Sequence, residues 1–284
     1  MIRTTLTGQW GNQMFTAVAG CIVSERTGQP YPPSRFWFDK NGSPLRWKNG
    51  CYLPPPSNRD PYRDGHGSSS SLSPYVVDSP HWIDLDSLPK DGRDIVVRSY
   101  AQRYELWAPY ADQIRDEWLK IQCPLPRTDE HELVVHLRRT DYVKNDSGQP
   151  TLDPARQCLA STSEELDKCL AEFPQGLRIL VCTDDALDPF VVEFCRKYRA
   201  STSLGTLDQD FLKMVAARYL LISQSTYSWL AGFLGRAERI VCPMSPGSHW
   251  GRGRHLYGPP EPGHPDFPNL IATGYDAGRW RWVA

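Results

Sequence analysis

The chain has 284 residues, 40% of them hydrophobic, which suits one large domain or two modest ones with real cores. Lys and Arg (32) nearly balance Asp and Glu (33), so no overall charge draws the protein to nucleic acid or to an anionic membrane. Recognition of an anion must therefore be local. In chain order, Met1 to Gly11 shows no charged-then-apolar leader, and no apolar run approaches the ~20 residues that span a bilayer. The expectation is a cytoplasmic protein without integral membrane contact.

Ile2 to Leu6 reads as a strand running into the glycine turn Gly8-Gln9-Trp10-Gly11. Beyond it Met14, Phe15, Val18, Cys21, Ile22 and Val23 recur at helical spacing up to a stop at Gly28. Gln29 to about Pro89 is rich in Pro, Gly, Ser and Trp and reads as loop. Asp94 to Arg98 resembles a buried strand, followed by the aromatic segment Tyr100 to Tyr110 and a helix to about Ile121. Pro124 and Pro126 mark a lobe boundary. The strand Glu132 to Leu137 follows, then helix Pro154 to Phe173, strand Leu177 to Cys182, helix Asp188 to Tyr198, a short Ser/Thr/Leu stretch, helix Asp208 to Tyr219, strand Leu220 to Ser223, helix Tyr227 to Leu234 and strand Arg239 to Cys242. Strands alternating with helices imply an α/β fold with a parallel sheet covered on both faces, whose ligands bind beyond the carboxyl ends of the strands. The Pro-rich tail after Cys242 reads as loop lying back against the first lobe.

The eight cysteines make no CxxC pair and the seven histidines no HExxH or Cys/His cluster, so free thiols and no metal site are expected. Neither GxGxxG nor GxxxxGK[ST] occurs, which removes the main support for NAD or ATP.

His136-Leu137-Arg138-Arg139-Thr140-Asp141-Tyr142 sits where a buried strand emerges. Two arginines beside an acid at that place suit an anionic ligand such as a diphosphate, or Arg139 and Asp141 form an ordinary ion pair at the strand end. At Ser225 to Ser228 hydroxyls and helix-initial amides converge, as phosphate ligands, simple helix caps or both. Asp184 and Asp185 end another strand with no basic partner visible in the sequence. A carboxylate there can accept from guanine or ribose donors, or cap the helix from Leu187 to Tyr198. Asn12 and Gln13 supply neutral hydrogen-bonding groups beside a turn that lets backbone approach a ligand. Tyr100, Tyr104, Trp107, Tyr110, Trp37 and Trp47 stack on sugar faces or, for Tyr104 and Trp107, belong to the core.

HLRRTDY resembles the HxRRxD motif of the fucosyltransferase superfamily that includes α-1,2, α-1,6 and protein O-fucosyltransferases. The accompanying pieces resemble the α-1,2-fucosyltransferases, glycosyltransferase family 11. Gly8-Gln9-Trp10-Gly11-Asn12-Gln13-Met14-Phe15 is similar to the family's GGLGNQMF, Val181-Cys182-Thr183-Asp184-Asp185 to its strand ending in Ser/Thr-Asp-Asp, and Ser225-Thr226-Tyr227-Ser228-Trp229 to its SSFSWW. Gln9-Trp10 departs from Gly-Leu, Leu230 stands where a second Trp is common, and Gln29 to Pro89 matches nothing in the pattern.

The resemblance implies a GT-B-like architecture of two Rossmann-like lobes with a donor cleft between them. Residues 1–128 form the acceptor-side lobe, 129–245 the GDP-sugar lobe, and 246–284 a loop-rich tail packing back on the first lobe. It implies metal-independent, inverting transfer of L-fucose from GDP-β-L-fucose to a sugar hydroxyl, with the 2-hydroxyl of a β-galactoside, on a glycan or glycoprotein, favoured as acceptor and no cofactor. The implied catalytic set is Arg138, Arg139, Asp141 and His136. The donor set is Gly11, Asn12, Gln13, Asp184, Asp185, Ser225, Thr226 and Ser228, and the acceptor set Gln102, Tyr104 and Glu105. Glu105, His66 and Asp60 are candidates for a general base, or none is needed. A GT-B enzyme using another GDP-sugar, a fucosyltransferase of different linkage and a noncatalytic carbohydrate-binding module are the rival readings.

Overall fold

The structure is a computed structural model and describes residues 1–4, 10–31, 72–78, 83–99, 101–102, 104–119, 121, 125–127, 129–144, 148–151, 160–243 and 279–283. It divides into two compact units, Met1–Pro124 and Leu125–Ala284. Both are α/β with parallel strands. Among the described residues no helix is long and apolar enough to cross a membrane.

The first unit is built on three parallel strands, β1 (Ile2–Thr4), β2 (Tyr75–Val77) and β3 (Ile95–Val97), in the order β1-β3-β2. β2 is a short strand inside the loop-dominated stretch Gln29 to Pro89. Three residues between prolines and serines are too few to carry a period-2 pattern. The helix α1 (Trp10–Thr27) buries Met14, Phe15, Val18, Ile22 and Val23. It stops at Gly28, whose φ of +67° and N–H bond to Ser24 O at 2.8 Å make a left-handed terminus that glycine adopts without strain. Gly11, expected in a turn, lies inside the first turn of α1.

After β3 the aromatic segment holds α2 (Tyr104–Trp107) and a 3-10 turn (Ala108–Tyr110), and the helix expected beyond it is α3 (Ala111–Gln113) followed by a π turn (Ile114–Trp118). Pro109 has no N–H to continue an α-helix and crowds the preceding turn. Trp107 is a core residue, fully buried, with its ring 4.5 Å from that of Phe15 and its Nε1 donating to Ala101 O at 2.9 Å.

Among its described residues the second unit carries six parallel strands: β4 (Glu132–Leu137), β5 (Arg178–Thr183), β6 (Ser201–Thr202), β7 (Tyr219–Leu221), β8 (Arg239–Pro243) and β9 (Trp280–Val283). Their order is β6-β5-β4-β7-β8-β9. That is the order of a Rossmann-like doubly wound sheet, whose direction of winding reverses between β4 and β7. Burial on both faces explains the apolar run Leu133 to Val135 of β4, which stays buried through His136 to Leu137. The helices are α4 (Thr140–Val143), α5 (Ser163–Leu170), α6 (Pro189–Tyr198), α7 (Leu207–Ala216) and α8 (Thr226–Leu234). Leu133, Val135, Leu137, Leu166, Val181, Val191, Phe194, Leu221 and Val241 pack into one core between the sheet, α5 and α6.

Local sequence fixes most helix starts. Thr162 and Glu165 form a reciprocal capping box, so α5 begins at Ser163; residues 154–159 of the helix expected from Pro154 lie outside the described residues. Asp188 caps α6 by accepting from Phe190 N at 3.0 Å, with Pro189 in the first turn. Residues 280–283, expected as loop, are a strand. They form β9, paired with β8 from Ile240 to Pro243, because Trp280 finds its burial against the second unit's own sheet and helix. Residues 244–278 lie outside the described residues.

At Gly235, a Cβ would stand 2.5 Å from Val215 O and 3.0 Å from Ala231 O, both backbone atoms that cannot step aside. Gly235→Ala is expected to destabilise the protein by about 1–3 kcal/mol through overpacking, read as a lower urea midpoint; an unchanged midpoint would show that α7 and α8 separate freely.

Candidate active site

The carboxyl ends of β4 and β7 flank the point where the winding reverses, the place where open parallel sheets leave a crevice for ligands. Arg138 follows β4 directly and Ser225 precedes α8, and the two meet, with Arg138 Nη1 3.4 Å from Ser225 Oγ. Where a dinucleotide-binding turn places glycines, this chain places a guanidinium.

Arg138 is held side-on by Asp141, Nε to Oδ1 at 2.8 Å and Nη2 to Oδ2 at 2.7 Å, and its guanidinium lies 4.8 Å from the Tyr142 ring centre. A two-point pair of this kind fixes the plane of the guanidinium as well as its position, and here it turns Nη1 toward Ser225. Its side chain is only 14% exposed. Burial works against the charged form of Arg138, but the Asp141 hydrogen bonds, with the carboxylates of Asp141 and Asp184 behind them, outweigh it and raise its pKa above the ordinary value. The guanidinium is a permanent positive charge.

Arg139 does not join it. Its Nε pairs with Asp188 at 3.1 Å and its guanidinium covers the Phe190 ring at 4.2 Å, binding the β4 turn to the start of α6. The acid expected to pair with Arg139, Asp141, pairs with Arg138 instead.

The two aspartates after β5 are both engaged by neighbouring turns. Asp184 accepts from Arg139 N at 2.8 Å, from Thr140 N at 3.3 Å and from Thr140 Oγ1 at 2.5 Å, closing the first turn of α4 from a neighbouring strand. Asp185 has the basic partner that the sequence hid, Lys144 Nζ at 2.7 Å, and accepts from Leu187 N. The Lys144 hydrogen bond holds the Asp185 carboxyl below its usual range. Neither is the cap of α6, which is Asp188.

His136 is buried at the end of β4, its Nδ1 2.6 Å from Ser223 Oγ and its ring 5.5 Å from Tyr227. Burial, helped by the charge of Arg138, pushes its pKa from 6.5 down to about 3. It is a neutral strut between β4 and the segment after β7. Tyr142 reinforces the same join, its hydroxyl donating to Gln224 O at 2.7 Å.

Ser225 is the N-cap of α8 but makes no capping bond with its side chain, and its Oγ faces Arg138. The first-turn amides of a helix have no acceptor within the helix. Ser228, expected to bind phosphate, is fully buried and donates to Ser223 O at 3.2 Å and Ser225 O at 3.3 Å, so it braces the turn from inside. Thr226 is the first residue of α8 and is 8% exposed.

In the first unit, Gly11, Asn12 and Gln13 lie in the first turn of α1, and Gln102 Nε2 donates to Asn12 Oδ1 at 3.1 Å. Gln13 and Gln102 are buried. Ala101 between β3 and Gln102 has φ +46°, a left-handed conformation costly for a residue with a Cβ. Tyr104 and Glu105 fall in α2, with side chains outside the described residues, and Asp60, His66, Tyr100, Trp37 and Trp47 lie outside the described residues altogether.

Sequence reasoning missed Ser223, Tyr142, Lys144 and Asp188. Tyr142 stands four residues after Arg138, a spacing that could have placed it beside the arginine; the other three meet their partners only through strand pairing. It also missed the rim of the same sheet edge, where the buried Asp210 faces Ser203 and lies 3.4 Å from Lys213 Nζ. Among the described residues, Cys21, Cys169, Cys182, Cys195 and Cys242 are free thiols, and no group of three or more His, Cys, Asp or Glu is arranged to hold a metal ion.

The neutrality of His136 has a measurable cost. The folded protein resists protonating it until about pH 3, whereas the unfolded chain takes up the proton near 6.5. Stability contributed here is complete above pH 6.5 and falls as the pH drops toward 3, by about 2 kcal/mol between pH 7 and pH 5. His136→Gln should remove that part of the acid loss, so urea midpoints at the two pH values draw closer in the variant than in the parent; equal differences would refute the neutral strut. Compared with known proteins, the chain matches no family model and no curated protein sequence.

Proposed function

We propose that the protein is an inverting, metal-independent glycosyltransferase that moves L-fucose from GDP-β-L-fucose to a sugar hydroxyl. The observation that carries this reading is the meeting of Arg138 Nη1 with Ser225 Oγ, 3.4 Å apart beside the start of α8. A fixed guanidinium, a hydroxyl and helix-initial amides at one switch point form the donor set a pyrophosphate needs. The resemblance of HLRRTDY to the HxRRxD motif narrows the anion to a GDP-sugar and the sugar to fucose.

In the proposed reaction an acceptor oxygen attacks the anomeric carbon from the face opposite GDP. The bond from that carbon to the β-phosphate oxygen breaks, GDP leaves with the electron pair, and the acceptor loses its proton. Negative charge grows on the β-phosphate as the bond lengthens, so the group that matters is one that binds the departing phosphate better than the intact donor. Arg138 takes that role, and its permanent charge does the work a divalent ion does in other sugar-nucleotide enzymes. Asp141 and Tyr142 aim it. Arg139, Asp184 and Asp185 hold the surrounding turns, and His136, neutral and buried, holds the strand end. Proton removal falls to a group elsewhere or to solvent.

The acceptor we propose is a β-galactoside fucosylated at its 2-hydroxyl, on a GT-B-like arrangement in which the first unit supplies the acceptor side. Gln102 suits that side, since a neutral amide matches sugar hydroxyls, which are donors and acceptors at once, while Asn12 and Gln13 belong with the donor set.

Incubation with GDP-fucose and a panel of galactosides, followed by linkage analysis, tests the whole reading; preferential turnover of another GDP-sugar would replace fucose. Arg138→Ala should weaken GDP binding and lower kcat by roughly a hundredfold to a thousandfold. Carbohydrate binding that survives Arg138→Ala with no turnover in the parent would mean a noncatalytic module. EDTA should leave the rate unchanged, and loss of activity with recovery on Mn2+ would reject the metal-free mechanism.

A further inference from the structure

The helix whose first turn faces Arg138 is held from behind by β9. Every residue of α8 from Thr226 to Phe233 is buried, so the helix has no solvent-facing side and packing alone sets where it lies. β9 grips it at two heights. Near the middle, the indole of Trp280 comes so close to Gly232 that a Cβ there would stand 3.2 Å from Cη2, and it meets the Trp229 ring at 5.9 Å. Trp229 in turn stacks on Phe233 at 5.2 Å. Just past the C-terminal end, Arg279, the residue before β9, donates from Nη1 to the C-cap carbonyl Gly235 O at 3.2 Å and to Ala237 O beyond it at 3.1 Å, a cation beside the negative end of the helix dipole. β9 is itself locked in register, with Trp280 opposite Ile240 and Ile240 N donating to Arg279 O at 2.6 Å.

We infer that Arg279 and Trp280 are positioning residues, which set the place of α8 and through it the Ser225–Thr226 turn beside Arg138. A nine-residue helix is about 13 Å long and moves as a rod, so a shift at Gly232 or Gly235 reaches Thr226 almost undiminished. Misplacement of a binding group by about 1 Å can cost a hundredfold in function. The inference rests on the proposed reading of the pocket for its ligand measurement, and on nothing but the fold for its second measurement.

Arg279→Met keeps the aliphatic stem and removes the donors, whereas Arg279→Lys keeps the cation. GDP is titrated by calorimetry well below each variant's unfolding midpoint, and amide hydrogen exchange is followed without ligand. The expected result is roughly tenfold weaker GDP binding for Arg279→Met, recovery to within about threefold of the parent for Arg279→Lys, and faster exchange in the Met variant confined to residues 226–234. A purely structural role moves neither readout in this way: unchanged GDP affinity in Arg279→Met, or exchange rising evenly from β4 to β8, overturns the inference. Should Arg279→Met not fold, Gly232→Ala, which crowds Trp280 from the helix side, must give the same two changes. If the parent itself does not bind GDP, the pocket reading fails and the exchange pattern alone decides.

Discussion

The side-on pair of Arg138 with Asp141 is the contact on which the second unit's carboxyl edge depends. A guanidinium taken largely out of water is expensive unless its charge and its N–H groups are met. Here a carboxylate three residues on meets two of those N–H groups, and Tyr142 lies against the plane. Both partners come from the same short turn, so the arrangement is made by local chain and needs no distant element to assemble it. What is left for the distant element, the Ser225 turn, is to face an arginine whose direction is already set.

Neighbouring contacts serve to keep the two sides of the crevice at one spacing. His136 to Ser223 and Tyr142 to Gln224 run from the β4 side to the β7 side, while Asp184 and Arg139 run from β4 toward β5 and α6. These bonds join segments about 80 or about 45 residues apart in the chain, so the sheet order, with β4 in the middle, brings them together. Ser228 shows the same economy from inside α8, spending its hydroxyl on the turn that precedes it.

Much of this was legible in the sequence. The apolar run of β4 announced a strand buried on both faces, and polar residues immediately after it had to mark its emergence. Gly28 as a helix stop, the Asp188-Pro189 start and the alternation of strands and helices after Pro126 follow from single-residue chemistry, and the structure has them. The partners of the charges were not legible. Arg139 with Asp188 and Lys144 with Asp185 are 49 and 41 residues apart, and no periodicity encodes which carboxylate a guanidinium reaches. The short strands β2 and β9 escaped for another reason: three or four residues hold too little pattern, and only the neighbouring strand makes them strands.

The paired charges around the crevice imply something about how an anion would arrive. Arg138, Arg139 and Lys144 are each matched by a carboxylate, Asp141, Asp188 and Asp185, and Asp184 adds a fourth. Beyond about one Debye length such a set presents almost no attractive field. These described groups would by themselves add no steering to a diphosphate, and their selectivity would come from the fit of its oxygens to fixed donors in the last few ångströms.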